Sequence, residues 1–81
     1  MRISYKRLWV LLIERDITKK KLKDDLKLTP GTMAKLNSGT EVSLSVLLRI
    51  CDYLNCDIGD ICEAVKVSYG DLSQEQRYYQ D

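Results

Sequence analysis

Eighty-one residues can bury one modest hydrophobic core, which excludes a second domain. A composition of 44% hydrophobic and 31% charged residues, with four glycines and one proline, excludes a disordered chain and suits a helical protein. The net charge of +1 conceals a polarity: residues 1–36 hold ten Lys/Arg against four Asp/Glu, residues 37–81 three against eight, so the basic half points toward a polyanion.

At the start of the chain, basic residues precede an apolar run, as in a secretory leader. The run over 8–13 is only six residues long and stops at Glu14, Arg15 and Asp16, too short for a leader core or a membrane span. The expectation is a cytoplasmic protein with no membrane partner.

Five helix starts follow from one pattern, in which an apolar residue precedes a Ser, Thr or Asp cap and a second apolar residue packs back from the next turn. The triplets Ile3/Ser4/Leu8, Ile17/Thr18/Leu22, Leu28/Thr29/Met33, Val42/Ser43/Leu47 and Cys56/Asp57/Ile61 place helices over about 5–15, 19–26, 30–37, 44–54 and 58–65. Leu8, Leu11 and Leu12 form one apolar face, Leu22 and Leu26 a second, Met33 and Leu36 a third. Leu44, Leu47, Leu48, Cys51 and Leu54 form a fourth, and Ile58, Ile61, Cys62 and Val65 complete an all-α core.

With Thr29 as cap, Pro30 falls at N1, where its fixed φ suits the helix and its missing N–H costs nothing. Gly31 then sits at N2, a poor helix former by about 1 kcal/mol relative to Ala, so something other than propensity accounts for it. Only 27–29 separate the second and third helices, which must therefore cross sharply as a helix-turn-helix. Gly39 closes the third helix in the left-handed conformation.

The tail over 66–81 is expected to be loosely docked or frayed, with a short strand around 66–69 pairing with 2–4, or a sixth helix from Leu72, as alternatives. Its Tyr69, Tyr78 and Tyr79 could pack on Trp9, which lies off the Leu8/Leu12 stripe as a partly exposed residue. Cys51, Cys56 and Cys62 form no CxxC pair, the chain has no histidine, and all three sit among apolar residues. They are expected to be small core side chains in a reducing compartment, with no metal site.

Chemistry concentrates at the second helix, which opens Lys19-Lys20-Lys21 with Lys23 in the following turn. Ammonium groups there oppose the positive end of the helix dipole at some tenths of a kcal/mol each, up to about 1. A phosphate reverses the sign, because lysines, free backbone N–H groups and dipole then all favour the same anion. Lys19, Lys20 and Lys23 are accordingly phosphate candidates.

The stretch TKKKLKDDLKLTPGTMAKLNSG, followed by VSLSVLLRICDYLNCDIGDI, resembles the Cro/C1-type (XRE-like) helix-turn-helix regulators, closest to the small VanU-like branch. The resemblance covers about residues 3–65 and rests chiefly on Leu22, Leu26, Leu28, Met33 and Leu36 together with the block over 42–61. It implies a compact five-helix bundle of the lambda-repressor-like DNA-binding type, domain 1–65, with the third helix in the major groove and the second across the phosphate backbone. By matching position, Pro30, Gly31 and Lys35 stand where the family reads bases, with Thr32 beside them. Lys19, Thr29, Ser38 and Thr40 stand where it touches phosphates.

Two positions depart from the family. Lys27 replaces its usual inter-helix glycine and must accept φ > 0 at about 1 kcal/mol or alter the turn, and Lys23 replaces a small residue. With Pro30 and Gly31 lacking hydrogen-bonding side chains, direct readout is thin. Phosphate contacts and DNA shape are expected to carry a large share of binding, with about five phosphates neutralised per domain.

The functional expectation is a repressor or activator that binds double-stranded DNA as a homodimer, self-associating through the fourth and fifth helices with the tail. It takes no cofactor and no small-molecule ligand. The alternative is a protein-interaction module that keeps the fold but has lost DNA recognition, binding through Asp52, Asp57, Asp60, Glu63 and the aromatic tail. An enzyme is not expected, because histidine is absent and no carboxylate pair or activated nucleophile is evident.

Overall fold

The computed structural model describes residues 1–66. They form β1 (Arg2–Ser4), α1 (Lys6–Glu14), α2 (Lys19–Leu26), α3 (Pro30–Ser38), α4 (Leu44–Leu54), a 3₁₀ turn (Ile58–Asp60) and β2 (Glu63–Val65). Three of the expected α-helix caps are in place: the hydroxyls of Thr18, Thr29 and Ser43 accept the backbone N–H of Lys21, Thr32 and Val46. Each satisfies a donor that the first helical turn leaves orphaned. α1 departs from the pattern, starting after Tyr5 with no side-chain cap, while Ser4 Oγ accepts only the N–H of Lys6 at 3.4 Å.

The fifth helix expected over 58–65 is not formed. Asp57 and Asp60 make a reciprocal capping box, but it opens a single 3₁₀ turn. The chain then extends into β2, which pairs antiparallel with β1 in the register Arg2↔Val65, Ile3↔Ala64 and Ser4↔Glu63. Long-range ladder bonds offer these residues a partner that the local helical pattern could not reveal, and Ile61 and Cys62 are buried without further helix. The described fold is thus four α-helices with a two-stranded ribbon rather than all-α. Pairing of 2–4 with a later strand is present, but ahead of the 66–69 segment expected for it. The remaining tail expectations, the sixth helix and the tyrosine contacts with Trp9, lie outside the described residues.

All four helices close in the same way. Asp16, Lys27, Gly39 and Asn55 take left-handed φ values of 55°, 54°, 76° and 52°. The following residue returns its N–H to a carbonyl five positions back: Ile17 to Leu12, Leu28 to Lys23, Thr40 to Lys35 and Cys56 to Cys51. Lys27 therefore accepts positive φ and keeps the turn between α2 and α3 tight.

The core consists of Tyr5, Leu8, Leu12, Leu22, Leu28, Met33, Leu36, Leu47, Ile50, Cys51, Leu54, Ile61 and Cys62. Leu11, Leu26 and Ile58 are half-buried against it. Leu44 and Leu48, expected inside, are 60% and 51% exposed, because the inward stripe of α4 runs through Leu47, Ile50, Cys51 and Leu54. Tyr5 joins the core unexpectedly, its hydroxyl donating to the Thr40 carbonyl at 3.0 Å. Arginines tie helix ends together: Arg15 donates to the Leu54 carbonyl, Arg49 to the Leu26 carbonyl, and Arg7 to the Gly59 carbonyl while also pairing with Glu63.

Candidate nucleic-acid interface

The first turn of α3 is an exposed tip. Pro30 and Gly31 face solvent, and a Cβ at Gly31 would meet only Thr29 Oγ1, at 3.9 Å, so the fold does not require glycine there. Thr29 Oγ1 accepts the Thr32 N–H at 3.1 Å and donates to Thr32 Oγ1 at 3.0 Å. The Thr32 hydroxyl therefore keeps its own proton for an outside acceptor. Lys35 is exposed further along the same helix. At the C-terminal end, Ser38 Oγ lies 2.8 Å from Thr40 Oγ1 and donates to the Lys35 carbonyl at 3.3 Å, so Ser38 and Thr40 sit side by side on the exposed rim.

The α2 lysines diverge. Lys19 crosses to α1 and α3: its ammonium lies 4.1 Å from the centre of the Trp9 ring and donates to Asn37 Oδ1 at 2.9 Å. Lys21 turns the other way, 3.1 Å from Asp25, which also accepts the Tyr53 hydroxyl. Those two contacts, the tyrosine first, hold the Asp25 carboxyl below its ordinary value, and the same bond pushes Tyr53 up. Lys21 thus belongs to the α2–α4 contact. The side chains of Lys20, Lys23 and Lys35 make no ion pair or hydrogen bond among the described residues; Lys20 and Lys35 are exposed and Lys23 is half-buried.

Every expected base-facing or phosphate residue thus lies exposed or half-exposed on α2, on α3, or, for Thr29 and Thr40, in the segments that flank α3. Asn37 is absent from the expected site, and Trp9, expected as a partly exposed contact residue, is not among the expected DNA-facing residues. A polar residue in the last turn of α3 was the available signal for Asn37, but its partner is distant in the chain.

The cysteines suit structure rather than chemistry. Burial pushes the Cys51 thiol up to about 11 and raises Cys56 and Cys62 as well, so all three remain thiols at neutral pH. Among the described residues no group of three or more His, Cys, Asp or Glu is placed to hold a metal ion, and no helix is long and apolar enough to cross a membrane.

Comparison with known proteins agrees with this geometry. The sequence profile of the Cro/C1-type helix-turn-helix DNA-binding domain matches residues 7–67. A crystal structure of the transcriptional regulator VanUg is 52% identical and superposes with a TM-score of 0.80, covering 82% of this chain and 88% of that one. No curated protein gives a match.

Proposed function

We propose, from the premise that this chain belongs to the Cro/C1-type helix-turn-helix DNA-binding family, that it is a cytoplasmic transcriptional regulator that inserts the N-terminal turn of α3 into the major groove. In this reading α2 lies across the phosphate backbone. The observation that carries it is the exposed α3 tip, with Lys35 further along the same helix and Lys20 on α2 both exposed and without an ion pair among the described residues. Lys35 donates to guanine O6 or N7, Thr32 offers a hydroxyl and a methyl group, and Gly31 lets the backbone come close to base edges. Lys19, Lys20 and Lys23 meet phosphates from α2, and Thr29, Ser38 and Thr40 from the two ends of α3.

The regulator works as a symmetric pair, one copy per half-site, with half-sites about one helical turn apart. Leu44 and Leu48, one turn apart on α4 and both exposed, supply the contact between copies. Two leucines a side bury little, so the pair is weak in solution and completed on DNA.

Selection of bound duplexes from a random pool tests the reading. The expected product is an inverted repeat with few fixed positions per half-site, since Pro30 and Gly31 carry no hydrogen-bonding side chain. Absence of any enrichment, with no retention on duplex DNA at low salt, would instead favour the interaction module, for which the same side-chain-poor tip is the supporting observation.

A further inference from the structure

The geometry points to Trp9 and Asn37 as positioning residues that hold Lys19 as a preformed phosphate clamp. This rests on the DNA-binding reading above and adds two residues to it. A lysine on an exposed helix end ordinarily sweeps a wide volume, and fixing its rotamers on a ligand costs binding free energy. Lys19 is already fixed from two sides: the Trp9 ring lies 4.1 Å beneath its ammonium, and Asn37 Oδ1 accepts one of its protons at 2.9 Å.

An ammonium has three donors. One is taken by Asn37, one face rests on the indole, and the remainder points away from both, toward solvent, where Lys19 is exposed. Because Asn37 Oδ1 accepts from Lys19, the Asn37 amide group is oriented with its two N–H donors turned from the lysine. They have no partner among the described residues. A phosphate beside the pair takes a charge-assisted bond from Lys19 through one oxygen and a neutral one from Asn37 through another, while the Lys19–Asn37 bond stays in place.

The node also fixes a distance that matters for docking. Trp9 is on α1, Lys19 on α2 and Asn37 in the last turn of α3. Their contact locks the start of the backbone-crossing helix to the end of the groove-entering helix. Both helices then meet the duplex as one body.

Chains of random-sequence duplex of about two helical turns serve as the probe, titrated at several salt concentrations against wild type, W9F, W9L, N37D, K19A and W9L/K19A, with K20A/K35A as a control outside the node. Circular dichroism confirms that each variant keeps its helix content. K19A is expected to weaken binding and lower the salt slope by about one unit. W9L is expected to weaken it about two- to five-fold with the slope unchanged, since the charge remains but is no longer held; W9F recovers most of the loss. W9L/K19A should bind like K19A alone. N37D, which grips the ammonium more tightly yet places a carboxylate beside the phosphate, should weaken binding although it strengthens the node.

The single tryptophan supplies a second readout: K19A should change Trp9 emission in the free protein, and duplex should change it in wild type. If W9L and N37D bind as wild type does, or if W9L and K19A losses simply add, the positioning role is overturned while the losses from K19A and K20A/K35A leave the DNA reading standing. If wild type itself ignores the duplex, the DNA reading fails instead.

Discussion

Gly31 occupies a position that the fold would give to almost any residue. Its Cβ space is open and its φ is not in the left-handed region, yet it costs helix propensity at an exposed site. Gly31→Ala is therefore expected to raise stability by up to about 1 kcal/mol, seen as a higher Tm. The same methyl group would stand between the α3 backbone and the bases, so duplex affinity should fall. A variant that gains stability and keeps full affinity would show that the backbone does not approach DNA at this point. Lys27 presents the opposite case, a side chain held at φ 54° where glycine is comfortable. Lys27→Gly should stabilise by about 1 kcal/mol and Lys27→Ala should not, a difference that chemical denaturation measures directly. At Cys51, whose thiol burial holds near 11, alkylation at neutral pH should be slow until the protein unfolds.

Between elements, the bond from Tyr53 to Asp25 joins α4 to α2, with Lys21 as third member. Asp25 is depressed below its ordinary 3.8, so its contribution is present above that value and is lost as pH falls through the lower folded value. Tyr53 is raised above its ordinary 10.0, so its contribution is present below that value and is lost as pH rises through the higher folded one. Thermal melts against pH should show Asp25→Asn flattening the acid arm and Tyr53→Phe the alkaline arm. Equal slopes in all three proteins would remove the contact from the account. Packing is a larger matter: Leu22, fully buried on α2, should cost about 2–5 kcal/mol when truncated to Ala, a large part of what so small a domain possesses.

The same scale explains what the sequence revealed. Caps and terminations are short-range chemistry, so Thr18, Thr29, Ser43 and Gly39 announced three helices, and the brevity of 27–29 announced their sharp crossing. The pairing of 2–4 was legible only as one alternative, with its partner strand set at 66–69 instead of 63–65, because Arg2 and Val65 meet only once the whole chain has folded. Leu44 and Leu48 were misplaced because an apolar residue beside the inward stripe has the same local pattern as one within it. The Trp9–Lys19–Asn37 contact joins three elements, and no spacing rule connects them. At the site, the α2 lysines stood out by charge at a capped helix start and the α3 positions came from the family resemblance, while the division of Lys19 and Lys21 between Asn37 and Asp25 depends on contacts that cross between helices.

At the scale of the described residues, the unpaired Lys20, Lys23 and Lys35 lie on α2 and α3, and the exposed Leu44 and Leu48 lie on α4. Replacing Leu44 and Leu48 with Glu should abolish concentration-dependent association in light scattering and weaken paired half-site binding far more than binding to one half-site. Unaltered association would move the contact elsewhere. The central claim, that the α2–α3 face meets the phosphates of duplex DNA, is tested most directly by titrating duplex with wild type and with Lys19, Lys20, Lys23 and Lys35 all changed to Ala over a range of salt. In wild type log K should fall against log salt with a slope of about −4 to −5 per domain for about five phosphates, and the variant should lose most of that slope. A slope near zero in wild type, or equal slopes and affinities in the two proteins, would contradict it.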